Sequence, residues 1–275
     1  MPGPASAAAT GPVPARPAAT VLILRDAADG IEAFMVVRHR AIEFAAGALV
    51  FPGGKVDPED AHAAWAELAP VRSTLPTRAG YVAAARESFE EAGLMLARRQ
   101  GASDLLTAAE AHRLVARHRA NLLAGSISFL DIVRGEGLTL ATDLMVPFAH
   151  WITPEGVPKR FDTHFLLVAA PVSQLGAHDG SESTEGLWIR PQQALADAEA
   201  GARTLVFATQ MNLHKLARYP TVAAAIAAAR SSPVVTVTPE AERLPDGRRR
   251  LRIPAEAGYG LSEIVVTAPP AMPSS

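Results

Sequence analysis

Alternation of short apolar runs with polar breaks dominates the N-terminal part of the chain. "TVLILRD" (Thr20 to Asp26) and "EAFMVVRHR" (Glu32 to Arg40) are rich in β-branched and large apolar residues, and "AADG" between them predicts a hairpin with a short loop. "GALVFPGGKVD" reads as a third extended piece. The period then lengthens. An alanine-rich stretch is expected to stay helical through Arg99, and a second helix is expected from Thr107 to Leu123, opened by the capping-box pattern "TAAE" and closed at Gly125. "HWITP", "RFDTHFLLVAAP" and "GLWIRP" predict later strands, and "PQQALADAEAG" predicts a helix begun by proline and ended by glycine. "QMNLHKLARYPTVAAAIAAAR" reads as helical with a break at Pro220, and "VVTVTPEAERLPDGRRRLRIP" as a terminal hairpin around "PDG". No internal repeat is visible, which excludes solenoids.

Composition narrows this α/β pattern. The 275 residues are 49% hydrophobic and 20% charged, enough to bury a sizeable core. A net charge of −2 offers no broad basic face, so the reading expects no nucleic-acid partner. The absence of cysteine removes disulfides and thiolate chemistry, and the eight histidines show no HExxH pattern. No apolar run reaches the length of a membrane helix, and the cytoplasm is the default expectation. Residues 1–17 read as a disordered leader, 18–230 as the main domain with insertions at 61–80 and 100–137, 231–266 as a hairpin extension and 267–275 as a disordered tail.

The densest charge lies in "RESFEEAGL", Arg86 to Leu94. On a helix, Glu87, Glu90 and Glu91 stand at i, i+3 and i+4, which stacks their carboxylates on one face. Like charges that close repel one another. Arg86, at i+4 spacing from Glu90, offsets part of the charge, and no other base lies nearby before Arg98. A divalent cation is the economical complement, because Mg²⁺ and Mn²⁺ prefer carboxylate and carbonyl oxygens. The alternative is a solvated acidic face on a surface helix. Upstream, the Gly-Gly turn of "FPGGKVDPED" lets the backbone bend sharply and present a carbonyl oxygen that side chains would otherwise crowd.

At these two stretches the chain resembles the Nudix hydrolases, whose box reads G-x5-E-x7-R-E-U-x-E-E-x-G-U with U a bulky apolar residue. Arg86, Glu87, Glu90, Glu91, Gly93 and Leu94 match its second half. Gly54 followed by five residues reaches Asp60 where the family has glutamate, and Ser88 occupies an apolar position. Residues 61–85 replace the seven positions of the box, so 18 residues are inserted. An insert at this place is similar to the long-insert branch that includes peroxisomal coenzyme A diphosphatases and bacterial relatives. The likeness covers roughly Thr20 to Leu216, with "ALVFPGGKVD", "WITPEGVPKRFDTHFLLVAAP" and "HDGSESTEGLWIRPQQAL" as its further marks.

The resemblance implies an α/β/α sandwich around a mixed sheet, with a helical insertion. It implies hydrolysis of a nucleoside diphosphate linked to another group, with Mg²⁺ or Mn²⁺ as cofactor. Metal ligands would be Glu87, Glu90, Glu91 and the Gly54 carbonyl, with Arg86 orienting the acids. For the general base, or a supplementary metal ligand, Glu185 is preferred over Glu182 in "HDGSESTEGLW". Arg38, Arg40, Lys55 and Arg160 are the candidates for holding phosphates, since an arginine grips a phosphate with two parallel hydrogen bonds. Trp151, Phe161 and Phe165 are assigned to the core in preference to a base-stacking role. Coenzyme A or acyl-coenzyme A is the first substrate expectation, with ADP-ribose or NADH as the alternative and a non-catalytic nucleotide-binding module as the reading of another class. A homodimer is also what the resemblance implies.

Overall fold

The computed structural model describes residues 13–37, 47–171, 174 and 186–266. Strand β1 (Arg16–Ala27) and strand β2 (Gly30–Val37) form the expected hairpin, with Ala27 opposite Gly30 across a two-residue turn. Strands β3 (Ala48–Val50) and β4 (Gly53–Lys55) flank the Phe51-Pro52 bend, and β4 pairs antiparallel to β1 with Gly54 opposite Ala19. Helix α1 (Trp65–Leu68) is a single turn, followed by the long helix α2 (Arg78–Ala92) and strand β5 (Ala97–Arg99).

Helix α3 (Ala108–Leu114) runs through one π turn, Val115–Arg119, into α4 (Ala120–Leu123), and α5 (Phe129–Gly135) precedes strand β6 (Leu138–Leu140). Strands β7 (Val146–Ile152) and β8 (Phe161–Ala169) pair antiparallel, and β8 lies parallel to β1. Strand β9 (Gly186–Ile189), helix α6 (Pro191–Glu199), strand β10 (Thr204–Leu205), helix α7 (Phe207–Leu216) and helix α8 (Val222–Ser231) follow. Strand β11 (Thr236–Val237) joins β7, and β12 (Glu240–Arg243), β13 (Arg249–Arg252) and β14 (Glu263–Val266) make a separate sheet.

Nine strands form one mixed sheet with the path β10-β3-β2-β1-β8-β7-β11, to which β4 adds on β1 and β9 on β2. Strand alternation sends Val21 and Ile23 of β1, with Leu166 and Val168 of β8, to one face, where Tyr81, Val82, Ala85 and Phe89 of α2 cover them. Leu22, Leu24, Phe165 and Leu167 face the other side, against Met211, Leu213 and Leu216 of α7 and Ala225 of α8. The result is helix, sheet, helix, the architecture that the sequence implies. Trp151 and Phe165 lie in the second core cluster, as their assignment to packing expects.

Two sequence expectations are corrected. The box helix does not run through Arg99. Gly93 takes a left-handed conformation (φ 63°), its N–H donates to Phe89 O, and Ala97–Arg99 then pairs with Leu138–Leu140 as a strand. The stretch 61–80 contains the single turn α1, and its last three residues are the first turn of α2. The terminal hairpin gains a third strand, with Arg249 opposite Val266. The second helix starts where expected: Thr107 Oγ1 accepts from Glu110 N and the Glu110 carboxylate accepts from Thr107 N, a complete capping box.

Candidate active site

Helix α2 is built from residues of high helix propensity, with three consecutive alanines at 83–85, and it lies so deep that Arg86, Glu87, Ser88 and Phe89 are all buried. Burying Arg86 and Glu87 is costly unless each is paired, and the pairing is extensive. The Arg86 guanidinium grips Asp60 with two hydrogen bonds, Nε to Oδ1 at 3.1 Å and Nη2 to Oδ2 at 2.9 Å. It also donates to Glu87 Oε1 at 2.9 Å, Glu90 Oε1 at 3.3 Å and the Lys55 carbonyl at 2.9 Å. Asp57 lies 3.4 Å away at the exposed rim. Burial alone pulls a guanidinium down, but Asp60, Glu87 and Glu90 outweigh it and hold Arg86 above its ordinary value.

Asp60 is 2% exposed and also accepts from Asp57 N at 2.8 Å. Its carboxylate therefore reaches Arg86 in two-pronged geometry despite being one methylene shorter than the family's glutamate. Ser88, at an apolar box position, is fully buried and donates to Leu94 O at 3.1 Å, so a hydroxyl serves a carbonyl just past the helix end. Both departures from the box thus have local structural partners.

The Gly-Gly turn meets the acids directly. A Cβ on Gly54 would sit 2.2 Å from Glu87 Oε1, so only glycine lets β4 lie against this carboxylate. Gly53 N donates to Glu91 Oε2 at 3.0 Å. Burial raises Glu87 to about 7, with Arg86 opposing and Glu91 and Glu90 adding to the rise. Glu90 is raised too, first by burial, against the pull of Arg86. The acids at 87, 90 and 91 are short of compensating positive charge, and carboxylate oxygens are the donors a hard divalent cation prefers.

Of the phosphate candidates, Lys55 joins the site through its main chain, while its exposed side chain stands on β4. Arg160 lies elsewhere: its Nε donates to Thr153 O at 3.0 Å and its Nη1 to Val13 O at 2.7 Å, fastening the β7–β8 connection to the start of β1. Arg38, Arg40, Glu182 and Glu185 fall outside the described residues. Sequence reasoning missed Arg119, which closes the π turn of the insertion and donates from Nε to Glu90 O at 2.7 Å. It sits within the field of Glu90 and Glu91. Its only signal in the sequence is the basic run "RHR", which is common on solvated helices.

No protein-family model matches the chain. A curated Caenorhabditis elegans protein, "Putative nudix hydrolase 7", is 26% identical over 174 residues, covering 62% of this chain and 50% of that protein. The chain thus spans about half the length of that curated relative. The crystal structure of a NUDIX hydrolase from Alicyclobacillus acidocaldarius superposes with a TM-score of 0.60 at 28% identity, over 78% of this chain and 96% of the other. Both likenesses are to Nudix hydrolases.

The cluster divides into two parts along α2. Arg86 and Asp60 form a buried brace that fixes the helix to the β4 turn. Glu90 and Glu91, each partly exposed, are the members that reach solvent, and Glu87 lies between brace and opening. Among the described residues, no helix is long and apolar enough to cross a membrane.

Proposed function

We propose that this protein hydrolyses the pyrophosphate bond of a nucleoside diphosphate linked to another group. The observation that supports it most is the complete acid set Glu87, Glu90 and Glu91 on one helix, braced by Arg86 and Asp60 against the β4 turn. A module that only binds nucleotide gains nothing from three mutually repelling acids. Glu87, Glu90 and Glu91, with the Gly54 carbonyl, hold Mg²⁺ or Mn²⁺. A bound divalent ion neutralises phosphate charge and lowers the pKa of a coordinated water. Arg86 keeps the Glu87 and Glu90 carboxylates aimed while remaining too buried to be displaced by substrate. Glu185 serves as general base from the segment before β9. Arg119 adds a positive group from the insertion beside Glu90.

Coenzyme A or acyl-coenzyme A is the substrate class put forward, by likeness to the long-insert branch, with ADP-ribose and NADH next. The test is product analysis by chromatography after incubation with coenzyme A, acyl-coenzyme A, ADP-ribose, NADH and nucleoside triphosphates, in Mg²⁺, in Mn²⁺ and in chelator. Metal-dependent cleavage with 4′-phosphopantetheine among the products identifies the coenzyme A class. No cleavage of any of them by folded, metal-loaded protein overturns the proposal in favour of a binding module.

A further inference from the structure

Outside the box, one group of side chains has the chemistry of a binding site. His150 on β7, with Asp162 and His164 on β8, brings two imidazoles and a carboxylate together with their ligand atoms within 4.8 Å of one another. The pairing of β7 and β8 sets this up: His150 stands directly opposite His164, and Ile152 opposite Asp162. Residues two apart on β8 share a face, so Asp162 and His164 point the same way as Leu166 and Val168, toward the α2 side. On that side the three lie near the box without sharing a residue with it. Ala19 is opposite His164 on one flank and opposite Gly54 on the other, so two strand spacings of roughly 10 Å separate the groups.

We propose that His150, Asp162 and His164 form a second metal site, for a borderline transition-metal ion of the Zn²⁺ class. Two imidazoles and one carboxylate are a donor set that Zn²⁺ and its neighbours favour and that Mg²⁺ does not, and three protein ligands leave a position for water. His150 already has the outer partner that metal-bound histidines require. Its Nδ1 lies 2.8 Å from Thr236 Oγ1, which fixes the ring and turns Nε2 toward Asp162 Oδ1 at 2.5 Å. An ion takes the place of the proton shared between those two atoms.

His164 supplies the third donor. Among the described residues its ring stacks on His150, with centroids 4.0 Å apart, and makes no hydrogen bond, so its nitrogens are uncommitted. The ring is partly buried beside His150, and an imidazole nitrogen with no other partner is the kind of donor a borderline metal ion takes. Stacked rings do not aim at one point. One imidazole must turn about its Cβ–Cγ bond, a broad and soft torsion. Asp162, with its side chain 38% exposed, can open the short contact to ion-ligand spacing.

The test uses the full chain, stripped with chelator, dialysed, and titrated with Co²⁺ in a large excess of Mg²⁺ that keeps the box filled. The expected result is a visible absorption band that saturates at a single equivalent, is displaced by Zn²⁺, and persists in the Glu87→Gln, Glu90→Gln double variant. His164→Ala and Asp162→Asn each weaken binding at least about tenfold, and Thr236→Val weakens it less, as loss of an outer partner does. Circular dichroism checks each variant, and the partly exposed Asp162 keeps the test open should His164→Ala misfold. No band in the wild type, a band that vanishes with the box variant, or a band unchanged in folded Asp162→Asn overturns the site. None of these outcomes bears on whether the box hydrolyses a pyrophosphate.

Discussion

The two faces of the central sheet bury polar groups in opposite ways. On the α2 face, Asp57, Asp60, Glu87, Glu90 and Glu91 gather around Arg86 and Arg119, so acid outnumbers base and burial raises both Glu87 and Glu90. On the other face, Trp151 Nε1 donates to Tyr259 Oη at 2.7 Å, Tyr259 donates to Asn212 Oδ1 at 3.2 Å, and Asn212 Nδ2 donates to Ala208 O at 3.0 Å. That chain is neutral, and each donor meets an acceptor. A satisfied polar network holds segments together, here the C-terminal strands against β7 and α7. A network with surplus buried negative charge favours a cation. The charge imbalance at the box is what supports the proposed site, and the neutral chain is its structural counterpart.

Arg86→Ala breaks the contrast most severely. It strands a buried Asp60, and removal of one partner of a buried pair costs about 3–5 kcal/mol, read as a lower denaturant midpoint. Arg86→Lys is also destabilised, because an ammonium cannot reproduce the two-pronged contact with Asp60 and the reach to Lys55 O. Saturating cation comes next. Mg²⁺ or Mn²⁺ at a hundred times its Kd stabilises the wild type by about 2.7 kcal/mol, chelator reverses it, and the Glu87→Gln, Glu90→Gln variant does not respond. A rise in melting temperature of equal size in that variant would place the ion elsewhere.

On the neutral face, Tyr259→Phe costs about 2 kcal/mol at neutral pH by leaving the buried Trp151 donor without its acceptor. Its pH dependence has a definite sign. Burial raises Tyr259 despite the hydrogen bond from Trp151, so the unfolded chain loses this proton first as pH climbs past about 10. Wild-type stability accordingly falls above that pH, and Tyr259→Phe shows a shallower alkaline limb in denaturant titrations at pH 9 to 11.

How far each region was readable from sequence follows from the range of its contacts. Glu87, Glu90 and Glu91 were legible because helical spacing alone places them together, and the Gly-Gly turn because glycine pairs after a strand mark close backbone approach. The end of α2 is not legible, since alanine-rich sequence continues past Gly93 and β5 pairs with β6 some 40 positions away, beyond any local pattern. Arg119 reaches Glu90 only after the insertion has folded over the helix. His150 and His164 become neighbours through a register that shifts at a bulge between Pro147 and Ala149, which no periodicity discloses. Tyr259 is 108 residues from Trp151 and carries no local mark of their contact.

The subtlest test of the comparison is Gly54→Ala. The added methyl would stand 2.2 Å from Glu87 Oε1 and 2.7 Å from Glu87 Cδ, closer than any real contact, so something must yield. The carboxylate is the free end of a side chain, whereas β4 is held by its pairing with β1, so Glu87 moves and the strand stays. Moving it leaves the Arg86–Asp60 brace in place and removes one acid from the set. The expected outcome is a folded protein with near-normal unfolding and turnover reduced about tenfold, some 1.4 kcal/mol of barrier. Shortening the arm in the same background, with Glu87→Asp, makes room for the methyl and restores part of the rate if crowding is the cause. A loss of stability in place of activity would mean that β4 yields, and that this glycine serves the fold and not the acid beside it.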